Sequence, residues 1–176
     1  MLPQPPFVLL DDARPGGAAR LYANPVAIVA ATAPGEVPEA LERLRAARAQ
    51  GLHAAGYLHY EASAALEPAA WPEPPAGGTL LWFGLFESYK RLDGDSVPAL
   101  LPDPAGAWAG APEPLISESD YALQFARIAG LIEAGDIYQA NLTFRAEVAT
   151  AGNPAALYAL LRARARAGYG LSLIHI

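Results

Sequence analysis

The sequence predicts an α+β fold, and three patterns predict it. Apolar residues recur at helical spacing in two stretches, 37–50 and 117–134. Alternation with a period of two fills 53–62 and 138–148. A nearly unbroken apolar and aromatic run, TLLWFGLFESY over 79–89, suits a strand buried on both faces. Helices and strands alternate, with hairpin potential near 53–62 and 79–90, so the arrangement reads as α+β or mixed α/β.

Composition narrows the class. Hydrophobic residues make up 53% of 176, enough for a sizeable core, so disorder is not expected. A net charge of −6, with no basic stripe interleaved with aromatics, argues against nucleic acid or an anionic membrane as the partner. No basic n-region opens the chain and no apolar stretch reaches transmembrane length. Cysteine is absent, which excludes disulfides and thiolate ligands. The expectation is a soluble, cytoplasmic protein. Lys90 is the single lysine, so a nucleophilic amine within these residues has only that candidate.

Taken in order, FVLLDD at 7–12 is a short apolar run ending in acids, a first strand. Arg14-Pro15-Gly16-Gly17 punctuates a turn. Val26 to Ala30 is a second strand, and Pro34-Gly35 breaks it. Val37, Leu41 and Leu44 follow at helical spacing, with Pro38 in the first turn and Gly51 as the C-terminal cap of a helix over 37–50. Gly56, inside the alternating run, marks a bulge or a close backbone approach. His59 and Glu61 read as an acid–base pair or as a satisfied structural pair, and the second is the commoner arrangement. EPAAWPEPPAGG at 67–78 is a loop, and 93–116 a weakly periodic connection between two halves.

Residues 117–148 carry the most information. Tyr121, Phe125, Ile128 and Ile132 form the apolar stripe of a helix, Ser117 with Asp120 caps its start, and Gly135 ends it. From Tyr138 the period becomes two. Tyr138, Ala140, Leu142, Phe144, Ala146 and Val148 would share one strand face, and Gln139, Asn141, Thr143, Arg145 and Glu147 the other. Gln139, Asn141 and Thr143 would then present hydrogen-bonding groups about 7 Å apart. Such a row suits a small ligand rich in hydroxyl and carboxylate oxygens, or else a solvated face. Asn153-Pro154 opens a last helix whose Arg162, Arg164 and Arg166 crowd the end where the helix dipole favours cations.

The stretch Gly-Asp-Ile-Tyr-Gln-Ala-Asn-Leu-Thr at 135–143 resembles the signature that opens the catalytic domain of chorismate-utilising enzymes. Gly-Tyr-Leu-His-Tyr-Glu-Ala at 56–62 is similar to a second stretch of that family, which usually has serine at the place of His59. The Tyr-Gln-x-Asn-Leu form looks like the para-aminobenzoate branch, aminodeoxychorismate synthase component I. The anthranilate synthase large subunit usually has valine where Asn141 stands. In weaker form the resemblance covers most of 7–170.

The resemblance implies a layered antiparallel β-sandwich with outer helices, of which this chain would hold part. It implies an N-terminal region over 1–110, the start of the chorismate-binding domain over 111–170, and a tail at 171–176, LSLIHI, that departs from the family and looks non-native. The implied reaction joins chorismate with ammonia, delivered by a glutamine amidotransferase subunit or domain, to give 4-amino-4-deoxychorismate for para-aminobenzoate and folate synthesis. In that family a lysine adds at ring carbon 2 and expels the 4-hydroxyl, ammonia adds at carbon 4, and the lysine leaves. That lysine and the glutamates holding Mg²⁺ have no matching positions here, so these residues alone should be an inactive N-terminal fragment. Tyr138, Gln139, Asn141 and Thr143 match motif positions near the substrate, as contacts or as scaffolding. A tryptophan pocket found in some relatives maps to Asp12, in place of serine, and to Gly168, Tyr169 and Gly170, with Gly168 where proline is usual. Anthranilate synthase component I and a non-catalytic docking module are the alternatives.

Overall fold

Two antiparallel sheets face each other in the computed structural model, which describes residues 1–70 and 77–174. The first contains β1 (Phe7–Asp11), β2 (Ala18–Ala23), β6 (Lys90–Asp93) and β11 (Gly170–Ile174), in the order β11-β1-β2-β6. The second contains β3 (Ala27–Ala31), β4 (His53–Leu58) and β5 (Leu81–Phe86), in the order β3-β5-β4. Every pairing is antiparallel, and the chain is a mixture of helices and antiparallel sheets, consistent with the α+β expectation.

Side-chain alternation sets the packing. On β1, Val8 turns toward the second sheet and meets Tyr22, Ala55, Trp82 and Phe86, with Leu10 and Tyr57 at its edge. Leu9, on the opposite face, joins Ala19 and Val97, with Leu21, Leu92 and Tyr158 against them. β1 is therefore buried on both sides, which a run such as FVLL tolerates and a strictly alternating strand would not. The outer face of the second sheet packs on α1 (Val37–Ala49) through Val29, Ala31, Val37, Ala40, Leu44 and Leu81. Full burial of each large side chain here contributes about 1.5–3 kcal/mol before entropy is charged against it.

The strands expected at 7–12 and 26–30, the helix at 37–50 and the buried run at 79–89 all form, within a residue or a few of those bounds. The close approach at Gly56 is present, since a Cβ there would lie 2.0 Å from the Trp82 carbonyl oxygen. The alternating run at 53–62 forms a strand only to Leu58 and then turns through a 3₁₀ segment at Tyr60–Ala62 into the short α2 (Ser63–Leu66). Part of the loop at 67–78 and the last two residues of the tail lie outside the described residues.

The connection at 93–116 is more ordered than its composition suggests. It holds 3₁₀ turns at Gly94–Leu100 and Pro104–Gly106, then β7 (Ala107–Ala109) and β8 (Glu113–Pro114). β7 pairs with β10 (Thr150–Gly152), which leads into α4 (Pro154–Ala165). Asn153 caps α4 by accepting the Ala155 N–H at 2.8 Å, with Pro154 in the first turn, as the sequence predicts.

α3 (Glu118–Glu133) starts at the expected cap. Ser117 Oγ accepts the Asp120 N–H at 3.0 Å and donates to Asp120 Oδ2 at 2.7 Å. Gly135, with φ of 81°, turns the chain out of the helix. The strand expected from Tyr138 to Val148 does not form. Only Ala146–Glu147 (β9) pairs, with β8, and Arg145 C=O accepts the Leu115 N–H at 2.8 Å. Alternation fixes which side chains share a face, but a strand also needs a neighbour for its backbone. Residues 138–144 pair with no strand among the described residues, so the polar row Gln139-Asn141-Thr143 is not a pleated face.

Candidate functional site

Two open clefts gather the residues singled out by the sequence. The first lies between α3 and the extended segment after it. Tyr121, Phe125, Ile128 and Ile132 form its floor, and Ala140, Asn141, Leu142 and Thr143 its rim, around about 440 Å³. Tyr121 also meets Phe144 edge to face, their centroids 5.6 Å apart. The helical stripe thus faces the motif, with Asn141 and Thr143 as its amide and hydroxyl. Tyr138, 93% exposed, and Gln139 stand outside this groove. No residue of α3 is buried, although four of its side chains form an apolar stripe.

The second cleft, about 470 Å³, opens over β1 and β2 where they emerge from the facing sheet. Leu10, Asp11, Ala18 and Arg20 line it from the strands, Asp12 from the turn after β1, and Tyr169 and Gly170 from the segment after α4. Asp12, Tyr169 and Gly170 therefore come together as one wall. Gly168 stands just outside, against Arg14. A Cβ at Gly168 would lie 2.8 Å from Arg14 Nε and 2.9 Å from its Cζ, so the missing side chain is what lets the guanidinium sit there. Arg14 donates to Asp12 Oδ1 through Nε at 2.8 Å and to Oδ2 through Nη2 at 2.6 Å, and its guanidinium lies 5.7 Å from the centre of the Tyr169 ring. These side-chain hydrogen bonds, with the Arg14 backbone N–H as the next contribution, draw the Asp12 carboxyl down to about 2.

Between the cleft and the core runs a buried polar link that the sequence reading missed. Asp11 is 3% exposed. Its Oδ2 accepts from Arg162 Nε at 2.6 Å and from the Tyr158 hydroxyl at 2.6 Å, and its Oδ1 from Arg162 Nη2 at 3.1 Å. Arg162 Nη2 also donates to the Gly94 carbonyl at 2.7 Å. Burial, followed by the bond to Asp11, pushes the Tyr158 hydroxyl well above its ordinary value, so it stays a donor. The Asp11 hydrogen bonds raise Arg162 further, against its desolvation. The end of α4 is cationic for more than its dipole, because Arg162 is one half of an ion pair. The available signal was the i, i+4 placement of Tyr158 and Arg162 on one face of α4.

His59 and Glu61 contact each other through Nδ1 and Oε2, at the start of the short helical segment after β4. Neither lines either cleft, which fits a structural pair. Among the described residues no group of three His, Asp or Glu side chains is placed to hold a metal ion. The Mg²⁺ implied by the resemblance therefore has no ligand set in them. No described helix is long and apolar enough to cross a membrane.

The fold mixes helices with antiparallel sheets and holds two clefts, one rimmed by the amide of Asn141 and the hydroxyl of Thr143. The family model described as chorismate binding enzyme matches residues 5–175, and the chain belongs to that family. It is a member of the chorismate-utilising enzymes. No curated protein and no solved structure matches it.

Proposed function

We propose that the chain is the N-terminal part of an aminodeoxychorismate synthase component I, which aminates chorismate at ring carbon 4 with ammonia from a glutamine amidotransferase. The observation that carries the reading is Asn141. It stands in the Tyr-Gln-x-Asn-Leu motif, where the anthranilate-forming branch usually has valine, and it lines the groove along α3. An amide there offers a donor and an acceptor to the oxygens of a hydroxylated, dicarboxylate ring, whereas valine offers neither. Thr143 adds a hydroxyl on the same rim.

In this reading residues 1–110 form the N-terminal region and 111–170 begin the chorismate-binding domain, within a larger layered sandwich of antiparallel sheets. The unburied stripe of α3 supports it, because an amphipathic helix draws its stability from what packs on its apolar face. The attacking lysine, the Mg²⁺ glutamates and the amidotransferase contact are assigned to the complete enzyme, in the cytoplasm. Asp12, Gly168, Tyr169 and Gly170 are assigned to an effector pocket.

The reading is tested by following the native reading frame past codon 170. It should run into a Pro-Ile-Lys-Gly-like stretch and paired glutamates. A complete frame without them would refute the enzyme reading and favour a docking module.

A further inference from the structure

We propose that the free edge of β3 is a self-association surface, along which a second copy of the chain lays its own β3 antiparallel. The claim does not depend on the amination chemistry or on either cleft.

Hydrogen bonding shows which backbone groups are open. β3 ends the second sheet, in the order β3-β5-β4, and no strand pairs with its outer side among the described residues. The Ala31 carbonyl accepts the Leu80 N–H at 2.8 Å. The Leu85 carbonyl, opposite Ala27, turns toward β3 and accepts the Val26 N–H at 2.8 Å. Ala27, Val29 and Ala31 therefore face β5 with their backbone groups, and alternation turns the N–H and C=O of Ile28 and Ala30 outward. Past Ala31 the donors are taken, because Glu36 Oε2 accepts the Thr32 N–H at 2.8 Å and the Ala33 N–H at 3.1 Å. Unpaired edge groups of this kind template a further strand.

The side chains at this edge are bare as well. Val29 and Ala31 are buried against α1. Ile28 and Ala30 point to the opposite face, outside the cluster in which the two sheets meet, and Ile28 is 44% exposed. By contrast β6, an edge of the first sheet, carries Lys90 and Arg91, charges that ward off another strand.

Charge and register select the occupant. No charged residue lies between Arg20 and Glu36. The edge therefore offers nothing to an acidic or basic peptide, and it sets no like charges against a copy despite the net charge of −6. A two-fold axis through Val29 places Ile28 opposite Ala30 of the second copy, and Ala30 opposite its Ile28. That register pairs every outward group of both residues and covers apolar side chains with apolar side chains. A register centred on Ile28 would set Ala30 against Val26, whose N–H is already bound to Leu85. The product is one continuous sheet in the order β4-β5-β3-β3-β5-β4.

The test starts from the F125Q/I132Q chain, in which association through the α3 stripe is suppressed. Sedimentation equilibrium should give twice the 18.5 kDa mass of one chain. I28K, a lysine at an exposed edge position, should weaken that dimer by about tenfold or more and keep the circular dichroism spectrum of its parent. The chain has no cysteine, so single cysteines report the register in an otherwise wild-type background. A mixture of I28C and A30C chains should cross-link under mild oxidation, since directly opposite Cα atoms lie about 5.5 Å apart, within disulfide reach. I28C alone should cross-link several-fold less, because its two copies stand diagonally. A monomeric F125Q/I132Q chain overturns the proposal. So does an I28K chain that dimerises normally, or a mixture that cross-links no better than I28C alone.

Discussion

Arg162 grips Asp11 across 151 residues of sequence, through Nε to Oδ2 at 2.6 Å and Nη2 to Oδ1 at 3.1 Å. The pair joins the first strand to the last helix, and the Gly94 carbonyl and the Tyr158 hydroxyl complete its hydrogen bonding. Asp11 side-chain exposure is 0% and that of Arg162 is 11%, so removing one partner strands the other charge in a poorly hydrated place. D11A should therefore cost about 3–5 kcal/mol in denaturant unfolding, while the D11L/R162M pair should cost clearly less. A single-variant loss below about 1 kcal/mol would mean that the pair is solvated.

Asp12 provides a pH signature. Arg14 holds its carboxyl down to about 2 from the ordinary 3.8. A depressed folded value means that the ion pair stabilises the fold above about pH 4 and that this contribution is lost as pH falls toward 2. In an NMR titration the Asp12 carboxyl should have its midpoint near 2 in the wild-type chain and move up toward 3.8 in R14M. Gly168→Pro should produce the same upward shift, because its ring would need the space held by the Arg14 guanidinium. An unshifted Asp12 in the wild-type chain contradicts the Arg14 clamp.

Gly56 is tightly constrained within the stretch 56–62. A Cβ there would fall 2.0 Å from the Trp82 carbonyl oxygen and 2.6 Å from Phe83 Cα, both backbone atoms of the central strand of the second sheet. G56A should cost at least about 1–3 kcal/mol, since the strands must part to admit a methyl group. Thermal unfolding of G56A at the wild-type temperature would show that β4 and β5 can separate freely.

α3 should behave in the opposite way. Leu123 is 70% exposed and Phe125 59% exposed, so L123Q and F125Q should change unfolding free energy by no more than about 0.5 kcal/mol. F86A, at a fully buried position, should cost about 3–5 kcal/mol. The open stripe should also make the isolated chain poorly soluble, with F125Q/I132Q less prone to associate by light scattering. A monodisperse, cooperatively melting wild-type monomer would mean that the face is covered.

How much of this was legible follows from where the information sits. Helix caps are local, so Ser117, Asn153, Pro154 and Gly135 announced the limits of α3 and α4. The buried run at 79–89 announced a central strand by its composition. β2 and β6 were missed because AARLYA and KRLD are poor strand formers by themselves. They become strands because β1 lies beside β2, and β2 beside β6. The reverse error was at 138–144, where good alternation found no neighbouring strand among the described residues. In the clefts, Asn141 and Thr143 were visible in the alternating run at 138–148, and Asp12 and Tyr169 through the family resemblance. Arg14 and Arg20 were not, because their roles depend on a turn and a strand pairing that bring 12–20 against 168–170.

The most direct test of the amination reading is the identity of the product made by the complete enzyme from chorismate and ammonia, resolved by chromatography and mass spectrometry. The account predicts 4-amino-4-deoxychorismate, with N141V lowering its formation by up to about tenfold, the worth of one hydrogen bond. Anthranilate as the product, or amination at carbon 4 unaffected by N141V, would contradict the role given to Asn141.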